Sequence, residues 1–149
     1  MEQINIWRFN QQLTSRLLNI NILNIELGRR LSRSESSFWR GIGTQAVGWG
    51  IINIAIALFG HIKTRRRLDK LDDPFDEAIM QKETHALQRI LAINAPLNLV
   101  YIFGGWLLTK RGQSEAMRGN GWGIMLQGLI LLFFDSFHLK QVSKLDKTS

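Results

Sequence analysis

At 149 residues the chain is the size of one domain, and its 45% apolar content with near-zero mean hydropathy suits a soluble protein as well as a membrane protein. Cysteine is absent, which excludes disulfide staples, thiolate metal sites and cysteine nucleophiles. The net charge of +7 fits nucleic acid, an anionic lipid surface or the basic loops beside membrane spans, and the positions of the charges decide between these.

Met1 to Asn10 lacks a basic leader followed by an apolar stretch, so no removable signal peptide is expected. From Ile4 to Leu31, apolar residues at Ile6, Leu13, Leu17, Ile20, Leu27 and Leu31 keep close to helical spacing. Arginine and asparagine interrupt this segment, and its longest charge-free part, Leu17 to Ile25, is too short to cross a bilayer alone. Residues 1–37 therefore read as an amphipathic helix or arm, lying in the interface or packing beside the rest as a fourth helix.

Residues 38–140 read as a membrane domain. Its first uncharged run is Gly41 to Ile62 and its second Ile90 to Thr109, each about the twenty residues that a spanning helix needs. The third, Gly119 to Leu139, has the same length but carries Asp135 in its last third. In a soluble bundle each run would show an apolar stripe opposite a charged one, yet charge is excluded around the circumference for about five turns. The expected fold is all-α, a helical bundle of three spans with the N-terminal helix beside it.

The charged segment 63–89 reads as the loop between the first two spans, with Asp73 as a helix cap, Pro74 in the first turn, and Asp76 and Glu77 at its positive end. That helix can run on into the second span. Residues 141–149 read as a polar tail that frays. An alternating path puts Trp39, Trp106 and Trp122 on one face, side A, at the depth that tryptophan favours. Side B receives Lys63, Arg65, Arg66, Arg67, Lys70, Lys82, Arg89 and Lys140, a modest basic excess that makes it the expected cytoplasmic face.

Within hydrocarbon an unpaired amide is costly and seeks partners across helices. Asn53, Asn98 and Gln127 each stand near the middle of a span and are candidates for one hydrogen-bonded polar layer, serving either as packing contacts or as a binding or permeation site. Ala46, Gly50, Asn53, Ala57 and Gly60 share one helix stripe, Asn94, Asn98, Tyr101 and Gly105 another, and Gly121, Gly128 and Asp135 repeat every seven residues. Pro96 removes a helix bond and is expected to kink the second span near Ala92, opening space beside Asn98.

At the side B edge, His61, Arg89, Asp135 and His138 form a candidate ionisable cluster, able to relay protons, hold a cofactor, or simply pair Asp135 with Arg89. The three histidines are scattered and match no metal-ligand spacing, and Gly119, Gly121 and Gly123 lack the strand and the downstream lysine of a phosphate loop. Thr64-Arg65-Arg66-Arg67 abuts a span, which suits a topology anchor or an anionic-lipid contact better than nucleic acid.

Three stretches carry a family resemblance: Phe38 to Gly60 with its glycines and Asn53; Ile93-Asn94-Ala95, then Leu97-Asn98, Tyr101 and Gly104-Gly105; and Gly119 with Gly121, then Gln127-Gly128, Leu132 and Phe134-Asp135. In these the chain resembles a family of small, functionally uncharacterised bacterial membrane proteins. That family tends to have glycine at the place of Pro96, aspartate at the place of Asn98, and a more apolar first helix. The resemblance implies an all-helical fold in the bacterial cell membrane and adds no substrate, cofactor or catalytic residue.

The expected function is that of a non-enzymatic scaffold or assembly partner, whose glycine-lined and amide-lined faces dock a second copy or other membrane subunits. The alternative is a lipid, quinone-like or ion binding or transport protein with a mid-membrane polar pocket. No catalytic set, cofactor, metal or nucleic-acid partner is expected. All of this requires that the purified chain need detergent or lipid to stay dispersed; a monodisperse preparation in plain buffer would overturn it.

Overall fold

The computed structural model describes residues 5–145 and contains four helices, α1 (Ile6–Leu31), α2 (Ser37–Leu68), α3 (Glu77–Arg111) and α4 (Glu115–Leu145). Three of them, α2, α3 and α4, are long and apolar enough to cross a membrane. Each end follows from local chemistry. The Asn5 side chain accepts the Arg8 N–H at 2.9 Å, Asp76 accepts that of Ile79 at 3.2 Å, and Ser114 Oγ that of Met117 at 3.2 Å. Basic residues fill the last turns of all four helices, where the negative end of the dipole favours them.

The segment read as a charged loop is mostly helix, because α2 runs on through Arg67 and α3 begins at Glu77. The cap of α3 is Asp76 and not Asp73. Asp73 instead accepts the Phe75 N–H at 3.0 Å, and Trp7 Nε1 donates to the Pro74 carbonyl at 2.8 Å, so Pro74 is held outside the helix. Of the stretch read as a polar tail, residues 141–145 continue α4, with Val142 fully buried against Ile6, Trp7, Phe9, Leu87 and Leu91, and residues 146–149 lie outside the described residues. Pro96 lies within continuous α3, and both it and Ala92 face outward, so the hydrogen bond it removes lies away from the packed side of the helix.

The helices alternate in direction, but their spatial order is not their chain order. α4 packs against both α3 and α2, α2 packs against α1, and α1 only brushes α3 and α4. Buried residues set these contacts at seven-residue intervals. They are Thr14, Asn21 and Gly28 on α1; Gly43, Gly50 and Ala57 with Ala46 and Asn53 on α2; Thr84, Leu91, Asn98 and Gly105 on α3; and Gly121, Gly128, Asp135 and Val142 on α4. This is the period that keeps one narrow seam facing a neighbour along the whole of a left-handed helix pair.

Small residues at these positions let backbones touch. A Cβ on Gly28 would stand 2.8 Å from the Gly43 carbonyl oxygen, and one on Gly121 would stand 2.7 Å from that of Gly105. Gly41 meets Gly119 and Asn120 in the same way, so the start of α2, the end of α3 and the start of α4 are level. Trp39, Trp106 and Trp122 are exposed at that end, as side A requires.

Outward, the spans are apolar. Ile51, Ile56 and Phe59 on α2, Val100 and Phe103 on α3, and Leu129 and Phe133 on α4 are exposed, the surface expected against lipid tails. Past its first turn, where Ile6, Trp7 and Phe9 are buried, α1 shares this inversion. It turns Thr14, Asn21 and Gly28 inward and exposes Ile22, Leu23 and Leu27, the reverse of a helix that packs its apolar face on a soluble core. α1 is thus the fourth rod of the bundle, beside the three apolar spans.

Replacing Gly121 by valine should destabilise the bundle by about 1–3 kcal/mol through overpacking. Gly104, beside which a Cβ would meet nothing within 4 Å, should accept valine within about 0.5 kcal/mol. Unfolding titrations in mixed micelles measure both.

Candidate functional site

The mid-span amides are buried, but they do not form one layer. Asn53 Nδ2 donates to Asn21 Oδ1 at 3.1 Å. Gln127 exchanges two bonds with Asn24, accepting from its Nδ2 at 2.8 Å and donating to its Oδ1 at 3.1 Å, while Asn24 also donates to the Ala46 carbonyl at 3.2 Å. Asn98 Nδ2 donates to Asp135 Oδ2 at 2.7 Å, and the Asn94 side chain addresses the same carboxylate. The reason is the helix order: α4 stands between α2 and α3, so Asn53 pairs with α1, Asn98 with α4, and Gln127 reaches across to Asn24 of α1.

The space beside Asn98 is therefore filled by Asp135, in a side-chain hydrogen bond within the α3–α4 seam. Asn21 and Asn24, on the least apolar of the four helices, partner two of the three mid-span amides. Their signal was present in the sequence as the seven-residue repeat Thr14, Asn21, Gly28, which matches the repeat of small residues on α2.

The side B ionisable residues are also separated. His61 lines a small recess of about 250 Å³ with Trp7, Gln11, Thr64 and Arg65, and Arg89 is exposed on α3. Arg67, not Arg89, makes the ion pair between α2 and α3, to Glu83 at 2.7 Å. Asp135 and His138 lie one turn apart on α4, yet Asp135 faces α3 while His138 faces α1. Among the described residues, no three His, Cys, Asp or Glu side chains gather as metal ligands would.

His138 is 3% exposed and holds two bonds. Its Nδ1 lies 2.7 Å from the Phe134 carbonyl oxygen, which can only accept, and its Nε2 lies 3.3 Å from Arg16 Nη1, which can only donate. Together they define the neutral ring with its hydrogen on Nδ1. Arg16 Nη1 also reaches Gln141 Oε1 at 3.3 Å, and no carboxylate among the described residues pairs with this guanidinium.

Arg16 and His138 stand at one end of a groove of about 650 Å³ between α1 and α4. Asn19 and Ile20 line its α1 wall, and Leu129, Ile130, Phe133, Phe134 and Phe137 line the α4 wall, leaving it almost wholly apolar below its charged rim. Phe133 is 75% exposed and stacks on Phe137 with ring centroids 6.2 Å apart.

Separate pairs and a shared layer make different predictions in a double-mutant cycle. Removing Asn98 and Asp135 together should show a coupling of about 0.5–2 kcal/mol, whereas Asn98 and Asn53 should be additive within about 0.5 kcal/mol. Unfolding in mixed micelles measures both cycles, and strong coupling between the two asparagines would contradict the geometry.

No curated protein and no solved structure matches the chain. Residues 16–136 match a family of unknown function, DUF6992, a stretch that takes in the amide pairs, the first two apolar spans and the third as far as Ser136, and the groove lining except Phe137 and His138. The chain belongs to that family, as a bacterial multi-pass membrane protein.

Proposed function

We propose that this protein is a non-enzymatic membrane protein that binds a lipid or quinone-like amphiphile in the groove between α1 and α4. The observation that carries the reading is the pairing of an apolar trough with a charged and amide rim, the arrangement of sites that fix one polar end of a largely apolar ligand. The groove faces the bilayer, so such a ligand arrives laterally without crossing water.

The scaffold reading rests on glycine-lined and amide-lined faces, and most of those are occupied within the chain. Gly28, Gly41, Gly105, Gly119 and Gly121 sit against neighbouring backbone, and the mid-span amides are paired. What favours docking of a further helix is narrower: Gly48, Gly60 and Gly104 have open space where a side chain would be.

A phospholipid with a photoreactive group midway along its acyl chain, reconstituted with the full chain in nanodiscs, tests the proposal. Cross-links should concentrate on Ile20, Ile130 and Phe133, and Ile130→Trp, which fills the trough, should reduce them several-fold. Labelling spread evenly over exposed residues such as Ile51, Val100 and Phe103 would sink the idea.

A further inference from the structure

Resting on that reading, we infer that the occupant is an anionic phospholipid of the side B leaflet, one acyl chain lying in the trough and its phosphate held by Arg16. Geometry sets the leaflet. The α4 wall from Leu129 to His138 rises about 14 Å at helical pitch, close to half of a hydrocarbon core about 30 Å thick. Its deep end lies next to the mid-span Gln127–Asn24 pair, and its rim lies where α4 leaves the apolar region before Lys140. The trough thus spans one leaflet, with the guanidinium at headgroup depth.

Charge sets the headgroup. Among the described residues His138 and Gln141 both engage Nη1 of Arg16, so the other N–H groups of the fork are turned to meet a phosphate, the planar geometry for which arginine is suited. His138 acts as a positioning residue. Its Nδ1–H is committed to the Phe134 carbonyl, which turns the bare Nε2 toward Arg16 and holds the guanidinium over the groove. With no carboxylate among the described residues on Arg16, and Lys140 exposed beside Gln141, a zwitterionic headgroup would bring its ammonium into a basic neighbourhood. A net negative headgroup meets no such conflict.

The test uses the full chain in micelles doped with equal amounts of phosphatidylglycerol and phosphatidylethanolamine, with retained lipid read by native mass spectrometry. Wild type should retain phosphatidylglycerol preferentially, and Arg16→Gln should lower that retention about tenfold, the scale of one charge-assisted hydrogen-bonded contact. Arg16→Lys should restore part of it, and Arg66→Gln, which removes an exposed side B charge away from the groove, should leave it unchanged. Equal retention of both lipids by wild type, or an Arg16→Gln protein with unaltered preference, would overturn the inference. If acyl photolabelling of Ile130 and Phe133 persists in that case, the groove still binds a chain and only the headgroup assignment falls; if labelling is lost as well, both readings fall.

Discussion

The bundle depends on close backbone approach along seams that repeat every seven residues. In lipid, apolar side chains gain little by leaving one hydrocarbon surface for another, so helices adhere where small residues allow dense contact and where polar groups find partners. Here both devices share the same positions. Gly105 and Gly121 bring α3 and α4 together, which places Asn98 within 2.7 Å of Asp135, and Gly28 and Gly43 do the same for the pairing of Asn21 with Asn53. A side chain at any of these glycines would push apart the amides further along the same seam.

The same constraint explains how a helix as polar as α1 lies at membrane depth. Its asparagines would each carry a penalty if unpaired in hydrocarbon. Asn21 and Asn24 discharge it by bonding to Asn53, Gln127 and the Ala46 carbonyl, while Ile22, Leu23 and Leu27 cover the outside. Arg8 and Arg16 fall near the side B end and Arg29 and Arg30 near the other, so the charges of α1 stay toward the edges of the bilayer.

The sequence made the three spans legible because charge exclusion needs no knowledge of neighbours, and the repeat of Gly121, Gly128 and Asp135 already marked the buried face of α4. Partner choice was not legible. Depth along a helix follows from counting residues, which placed Asn53, Asn98 and Gln127 mid-span, but their partners depend on α4 standing between α2 and α3, a fact with no local signature. The cap of α3 was misplaced for a related reason: Asp73 and Asp76 are locally equivalent candidates, and the choice between them is fixed by Trp7, sixty-seven residues from Pro74. Arg16 and His138, 122 residues apart, could be joined only by the folded chain.

The groove follows from these seams. α1 is anchored along α2 and reaches α4 at two levels, through Asn24 with Gln127 at mid-depth and through Arg16 with His138 and Gln141 at the edge. Between those levels nothing draws the helices together: Ile20 faces Ile130 and Phe133 across a gap, and neither wall has a small residue that would let the backbones close. In water such an apolar gap would tend to collapse. On the proposed reading an adjacent acyl chain fills it in a bilayer, and the selective element is the cation at its mouth. Two polar locks about three turns apart along α4, with bulky apolar residues between them, therefore leave an opening shaped for an acyl chain, one whose length is set by the spacing of the locks.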